Sequence, residues 1–155
     1  MEWYMNVIVV LAAFLFMEFT AWFTHKYIMH GFLWVLHKDH HLPNDKKWQR
    51  NDLFALIFAI PSIVLCILGS GGGLDYRFWA GLGIAVYGLI YFLLHDTLVH
   101  ERTPLLKKVN NAYFRAVVAA HNDHHSGKKN FGFVLIFPWK YFRKENQKNP
   151  ERKTG

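Results

Sequence analysis

Three long apolar blocks limit what this chain can fold into more than any other feature of its sequence. The blocks are residues 3–23, 53–69 and 78–94. They contain one charged residue, Glu18. At a rise of about 1.5 Å per residue, a helix of roughly 20 residues crosses the hydrocarbon core of a bilayer. Because uncharged helices without a polar face are hard to place in a small soluble domain, the blocks favour membrane spans over a buried soluble bundle.

The connections between the blocks predict how the spans are arranged. Residues 69–77, rich in glycine, join the second and third blocks, so we expect a transmembrane hairpin there. A weaker apolar stretch, 112–120, carries Arg115 and is too short to span, so it lies in the interface or packs on the other helices. The sequence therefore predicts an all-α integral membrane protein with three to four transmembrane helices, a single domain over 1–155, and a flexible C-terminal tail at 140–155.

Charge predicts the orientation of the chain. Of the 18 lysines and arginines, Arg77 is the one in the hairpin link, and the others largely flank the first two blocks or follow the third. By the positive-inside rule the N-terminus faces outward, while 24–52 and the segment after about residue 95 face the cytoplasm of a bacterial inner membrane. This basic face accounts for the net charge of +7 without a nucleic-acid partner. The single cysteine, Cys66, excludes an internal disulfide framework.

The ten histidines form one repeated pattern. A HxxxxH pair followed by a HxxHH group occurs after the first apolar block, and the same two motifs occur again after the third. No histidine lies outside these motifs, and all fall on the predicted cytoplasmic side. The set is His25, His30, His37, His40, His41, His95, His100, His121, His124 and His125.

The spacing of the HxxHH groups suits a metal site. Because positions i, i+3 and i+4 share one helix face, His37, His40 and His41 can point the same way, and the second group repeats this arrangement. The HxxxxH pairs fit less well, because two residues five positions apart on an α-helix point in directions that differ by about 140°. Each pair therefore needs a helix end, a kink or metals on two sides. Gly31 and Pro104 lie just after the pairs and would permit such breaks.

The number of imidazoles exceeds what one ion can bind, so two metal ions are the simplest count. Imidazole suits Fe, Zn, Cu and Ni alike, so the ligand type alone does not select the metal. A histidine-rich metal transporter is a rival, although such proteins favour low-complexity histidine runs. Bis-histidine haem is a second rival, but clustering at one membrane face argues against it. The pattern therefore predicts a histidine-rich metal cap on the cytoplasmic side.

The motifs and the residues between them closely resemble the bacterial non-haem β-carotene 3-hydroxylases, which belong to the fatty acid hydroxylase/sterol desaturase superfamily of membrane di-iron enzymes. The histidine pattern alone indicates the superfamily, whereas the intervening residues and the short chain indicate the carotenoid branch. The similar segments, within about residues 17–137, are 25–31, 37–41, 51–55, 91–100, 121–125 and 130–134.

The resemblance implies two iron ions bound by these ten histidines, dioxygen as co-substrate and a ferredoxin-type electron donor. It implies hydroxylation of the β-ionone rings at C3, which takes β-carotene through β-cryptoxanthin to zeaxanthin. Other carotenoids are related candidates for substrate. Two alternatives stay open: a related di-iron lipid or carotenoid hydroxylase, desaturase or ketolase, and a membrane metal-binding protein without turnover.

Some polar and aromatic residues near the motifs are weaker candidates. Glu18 lies seven residues before His25, on nearly the same helix face, and is either a partner or proton relay for the site or a carboxyl held neutral by a polar neighbour. Carboxylates and an amide beside the histidines either orient imidazoles or cap helices. These are Asp52, Asp96, Asn122 and Asp123, and the aromatic candidates for a polyene channel or membrane anchor are Trp22, Phe23, Trp34, Tyr91 and Phe92.

Overall fold

The structure is a computed structural model that describes residues 2–42, 48–106, 111–128, 131 and 139–148. In these ranges the regular elements are helical, apart from an isolated bridge between Gly71 and Gly73. The α-helices are α1 (Trp3–Phe23), α2 (Trp34–His37), α3 (Leu53–Gly69), α4 (Tyr76–Phe92), α5 (Ala112–His125) and α6 (Trp139–Lys148). Two π-helical segments, Thr24–Phe32 and Leu93–Val99, continue α1 and α4, and a 3₁₀ turn, Arg50–Asp52, precedes α3.

Three continuous helical runs are long and apolar enough to cross a membrane. They are Trp3–Phe32, Arg50–Gly69 and Tyr76–Val99, and each contains one of the three apolar blocks. Helix α5 has 14 residues, about 21 Å of helix, which is shorter than the roughly 30 Å hydrocarbon core. The described part of the chain therefore confirms an all-α integral membrane protein with three spans.

The chain divides into two compact units, residues 1–90 and residues 91–155. The prediction of a single domain stays a prediction. Helix α6 begins the predicted C-terminal tail, while 149–155 lie outside the described residues, so the flexibility of the tail also stays a prediction. Most of the similar segment 130–134 lies outside the described residues as well.

Within the first unit, α4 packs closely against both other spanning helices at two glycines. A Cβ atom at Gly81 would lie 2.7 Å from the carbonyl oxygen of Ser62 on α3. A Cβ atom at Gly83 would lie 2.6 Å from the carbonyl oxygen of Val10 on α1. The hydroxyl of Ser62 donates to the Gly81 carbonyl at 2.7 Å. Small residues let helices approach in lipid, where apolar burial alone does not drive helix association.

A buried hydrogen bond also joins α1 to α4. The Tyr87 hydroxyl donates to Oε2 of Glu18 at 3.0 Å, and the two side chains belong to residues that are 2% and 3% exposed. The ring of Phe14 packs edge-on against Tyr87, with 5.3 Å between centroids. The structural alternative for Glu18 required a polar neighbour, and Tyr87 is such a neighbour. A role for Glu18 at the metal site stays a prediction.

In the second unit, α6 is held against α5 by polar contacts. The Tyr141 hydroxyl donates to the Asp123 carboxylate at 2.8 Å, and Nε of Arg115 lies 3.3 Å from the Glu145 carboxylate. Helix α5 begins at a side-chain cap, because Oδ1 of Asn111 accepts from the backbone amide of residue 114 at 2.9 Å. These contacts fix the helix that carries the second HxxHH group.

We expect Gly83→Ala to lower the thermal unfolding midpoint of the detergent-solubilised protein. The new methyl group would stand 2.6 Å from the Val10 carbonyl oxygen, and overpacking of this kind costs about 1–3 kcal/mol. Gly88→Ala, on the same helix, is the matched control, because a Cβ there meets nothing within 4 Å. Equal midpoints for the two variants would contradict the close packing of α4 on α1.

Candidate metal centre

The HxxxxH pairs lie at the two π-helical segments: His25 and His30 are inside Thr24–Phe32, and His95 is inside Leu93–Val99, which His100 directly follows. A π-helix makes hydrogen bonds between residues five apart, so the second histidine of each pair falls one turn after the first. The backbone amide of His100 donates to the carbonyl of His95 at 3.0 Å, which closes this five-residue turn. The ring centroids are 4.9 Å apart in the pair His25–His30 and 4.7 Å apart in the pair His95–His100.

The expected helix end and kink both occur, since His100 is the residue that ends its segment and a kink directly follows His30, while the π winding was not predicted. A kink does occur at Gly31, whose φ of −103° and ψ of −123° are not helical. The pair His25–His30 precedes that kink, and the π turn itself brings its two rings together. The sequence spacing carried this signal, since five residues is the hydrogen-bond period of a π-helix.

In the first unit, four histidines converge. We name His25, His30, His37 and His41 the first cluster; one ring nitrogen of each lies within 4.8 Å of those of the others. The Nε2 atoms of His37 and His41 are 3.0 Å apart, and His37 is 1% exposed. His40, the remaining histidine of this unit, is buried beside them, with its ring centroid 5.3 Å from that of His37.

In the second unit, three histidines converge in the same way. We name His95, His100 and His121 the second cluster; one ring nitrogen of each lies within 4.8 Å of those of the others. The Nε2 atoms of His100 and His121 are 3.0 Å apart. The ring of His125 lies 4.5 Å from that of His121, and the ring of the buried His124 lies 5.9 Å from it. Within each unit, the predicted ligands therefore come together.

Polar side chains contact the outer nitrogens of several imidazoles. Nδ1 of His37 lies 2.6 Å from Oδ1 of Asn51. Nδ1 of His40 lies 3.3 Å from Oε1 of Gln49. Neither amide was a predicted site residue, since no spacing rule links Gln49 or Asn51 to the histidine motif.

Of the acidic residues predicted to neighbour the histidines, one contacts an imidazole and two accept hydrogen bonds from other groups. Oδ2 of Asp96 lies 3.3 Å from Nδ1 of His95, and Oδ1 of Asp96 accepts from Arg102 at 2.7 Å. In contrast, Asp123 accepts from Lys128 and Tyr141, and Asp52 accepts from the backbone amide of Gln49 in a cap. Asp96 is thus the carboxylate placed to orient an imidazole, whereas the contacts of Asp52 and Asp123 are structural.

Two of the aromatic candidates pack on the imidazoles. Tyr91 stacks on His95 with 4.7 Å between centroids and 19° between planes. Trp34 lies 5.3 Å from the rings of both His30 and His41. These rings restrict the orientation of the histidines whether or not they also meet a substrate. Trp22 and Phe23 instead contact the aromatic neighbours Phe19 and Tyr27 on the same helical run.

Burial keeps two histidines of the second cluster, His100 and His121, in the neutral form that binds metals. Burial first, and then the neighbouring charge of His95, lowers the pKa of His100 to about 3. Burial, followed by the charges of His95 and His100, holds the pKa of His121 well below its ordinary value. Near neutral pH both rings therefore keep a lone pair available, as coordination requires.

The donor set and its spacing fit a transition-metal ion. With metal–imidazole bonds of about 2.0–2.1 Å, two ligands of a tetrahedral ion stand about 3.4 Å apart. The distances between ring nitrogens within each cluster bracket this value, from 3.0 Å for the shortest pairs to 4.8 Å at most. Imidazole nitrogen suits Fe, Zn, Cu and Ni. Each cluster is therefore compatible with one such ion.

We expect the metal-free protein to lose stability as the pH falls from about 6.5 towards 3. The folded state protonates His100 only near pH 3, whereas the unfolded chain does so near 6.5. Between these values the unfolded state binds more protons, so acid favours unfolding, and above 6.5 the contribution is fully present. One such group changes the free energy of unfolding by at most about 1.4 kcal/mol per pH unit.

Unfolding midpoints measured over this pH range in wild type and in His100→Gln test the effect. The variant carries a side chain that does not titrate, so its midpoint is expected to fall less steeply with acid. An identical pH dependence in the two proteins would contradict the buried, neutral state of His100.

Sequence comparisons with known proteins match most of this chain. The sequence profile of the fatty acid hydroxylase family matches residues 10–143, a range that includes all ten histidines. A β-carotene hydroxylase of Pantoea ananas is 41% identical over 143 residues, which cover 89% of this chain and 81% of the relative. A β-carotene hydroxylase of a Paracoccus species is 42% identical over 86% of this chain and 85% of the relative.

A plant relative matches over a shorter part of its own length. The chloroplastic β-carotene 3-hydroxylase of Gentiana lutea is 44% identical over 117 residues, or 74% of this chain and 37% of the relative. No solved structure matches the chain.

Proposed function

The chain belongs to the fatty acid hydroxylase family, and we propose that it hydroxylates β-carotene at C3 of each β-ionone ring, giving β-cryptoxanthin and then zeaxanthin. The observation that carries this proposal is the identity of 41% with a bacterial β-carotene hydroxylase over 89% of the chain. The convergence of histidines in each unit supports it, because hydroxylation of an unactivated C–H bond needs a metal or cofactor. On this proposal the protein is a non-haem di-iron monooxygenase.

The proposed cofactor is a pair of iron ions, with all ten histidines as ligands or as close neighbours of ligands. The first cluster would hold one ion and the second cluster would hold the other, and His40, His124 and His125 are the remaining candidate ligands or neighbours. When bound, iron supplies the activation of dioxygen that the C–H bond requires. The ring nitrogens within 4.8 Å of one another in each cluster support this division.

The residues of this chain contribute position and protonation state. Burial keeps His100 and His121 neutral, so that no proton has to leave before an ion binds. Asp96, itself paired with Arg102, orients His95 through its outer nitrogen. Tyr91 stacked on His95 covers one face of that ring and helps to keep water from it.

The membrane spans suit a substrate that dissolves in lipid. A carotenoid cannot leave the bilayer without exposing its polyene to water, so it would enter laterally between helices. The π-helical pairs lie at the ends of the first and third spanning runs, at the boundary that a substrate ring would reach. Phe92, Trp34 and Tyr91 are aromatic side chains near these pairs that could contact the polyene.

A soluble ferredoxin-type protein is the proposed source of electrons. The chain carries a net charge of +7, and most of its cationic residues lie in the segments that also contain the histidines. By the positive-inside rule these segments face the cytoplasm of the bacterial inner membrane, with the N-terminus outside. A basic rim there would attract an acidic electron donor and anionic lipid alike.

Expression in a host that accumulates β-carotene tests the reaction. We expect the wild-type chain to convert the pigment to zeaxanthin, which chromatography of the extracted carotenoids would detect. His40→Ala and His124→Ala should abolish the conversion while the protein still inserts in the membrane, because each removes an imidazole from a buried metal site.

Gly88→Ala is the matched control and should keep the activity, because this position is exposed and a Cβ atom there meets nothing within 4 Å. Retained hydroxylation in both histidine variants would overturn the ligand assignment. Unchanged β-carotene with inserted wild-type protein would overturn the proposed substrate and favour a related lipid hydroxylase, a desaturase, a ketolase or a metal-binding protein without turnover.

A further inference from the structure

A short turn before α3 runs alongside the first HxxHH group and contacts it at three points. Oδ1 of Asn51 lies 2.6 Å from Nδ1 of His37, and Oε1 of Gln49 lies 3.3 Å from Nδ1 of His40. Between these contacts, the backbone amide of Arg50 donates to the Asp39 carboxylate at 2.8 Å. The two segments therefore run antiparallel, with contacts between residues 37 and 51, 39 and 50, and 40 and 49. Three contacts in this order hold the motif and the turn in one register.

The contact with Asn51 determines which nitrogen of His37 carries the proton. An amide oxygen can only accept a hydrogen bond, so Nδ1 of His37 must be the donor. Nε2 then keeps its lone pair, and this atom lies 3.0 Å from Nε2 of His41, inside the first cluster. The amide therefore selects the tautomer in which His37 offers Nε2 to an ion.

The turn is itself well anchored. Gln49 and Asp52 form a capping box, in which the Asp52 carboxylate accepts from the Gln49 amide at 3.0 Å. Helix α3 follows directly after Asp52, so the turn is attached to a spanning helix. Asn51 is 8% exposed and His37 is 1% exposed, so water has little access to compete for their hydrogen bond.

We propose that Asn51 is a positioning residue for the metal centre, which fixes the tautomer and ring orientation of His37, and that Gln49 does the same for His40. The inference rests on the proposed metal-binding function. Hydrogen bonds to the outer nitrogen of a metal-binding histidine raise metal affinity, and their removal weakens it by roughly 10- to 100-fold. In the second unit, the carboxylate of Asp96 makes the corresponding contact with His95.

Binding of Co²⁺ to the metal-stripped, full-length protein in detergent tests this inference, with visible absorption as the readout. We expect Asn51→Leu, which has a similar volume but no acceptor, to weaken binding of the ion at the first cluster by roughly 10- to 100-fold. Asn51→Asp keeps an acceptor at the same position and should restore binding near the wild-type affinity, with a shifted spectrum because a carboxylate makes the imidazole a stronger donor.

Ser62→Ala is the matched control. It removes another buried hydrogen bond of the same unit, the one from Ser62 to the Gly81 carbonyl, without removing a contact to an imidazole. A variant that only loosened the fold would resemble this control, with a lower unfolding midpoint and an unchanged Co²⁺ spectrum. The positioning role requires Asn51→Leu to differ from Ser62→Ala in affinity and spectrum.

The outcomes separate this inference from the function on which it rests. Absence of Co²⁺ absorption in the wild-type protein would overturn the metal centre itself. If wild type and Asn51→Leu bind Co²⁺ with the same affinity and the same spectrum, the role of Asn51 is overturned and the metal centre is not. If Asn51→Leu does not fold, Gln49→Leu replaces it: weakened binding supports the turn as a positioning element, and unchanged binding overturns it.

Discussion

The convergence of the histidines depends on a backbone hydrogen bond between residues five apart. In an α-helix the two imidazoles of a HxxxxH pair would diverge by about 140°. In the π-helical segment Thr24–Phe32, and in Leu93–Val99 with the His100 that follows it, the paired histidines lie one turn apart, with their rings less than 5 Å from one another. Such segments are rare and concentrate at functional sites, because the α-helix is ordinarily favoured. That the chain adopts one for each pair indicates that the position of the histidines outweighs the local helical preference.

Burial of the imidazoles is the second requirement, and it explains the polar residues around them. Desolvation keeps His100 and His121 neutral and therefore able to coordinate. A buried ring also needs a partner for its outer nitrogen, since an unpaired polar group in the interior costs about 1–3 kcal/mol. In the first unit amides supply this partner, at Asn51 and Gln49, and in the second unit Asp96 supplies it. The amide partners of the first unit and the carboxylate partner of the second also differ chemically, because a carboxylate makes the imidazole a stronger electron donor than an amide does.

Sequence alone predicted the parts of this molecule that follow from local composition and regular spacing. The three helices of membrane-spanning length follow from apolar runs that contain a single charge, and the two histidine clusters follow from a histidine pattern that occurs twice. The π winding was missed because an α-helical period was assumed, although the five-residue spacing contained it. Asn51, Gln49 and Tyr87 could not be predicted, since each meets its partner across a turn or between helices. The distance along the chain, 69 residues for Tyr87 and Glu18, leaves no periodic signal.

We propose that the repeated motifs form two metal-binding clusters, one in each unit of the chain. The most direct measurement is the amount of iron bound by the purified full-length protein after anaerobic reconstitution with Fe²⁺ and removal of excess metal. We expect two iron ions per chain, and one when the first cluster alone is disabled by the double substitution of His37 and His41 by alanine. One ion or none in the wild-type protein, or two in the double variant, would contradict it.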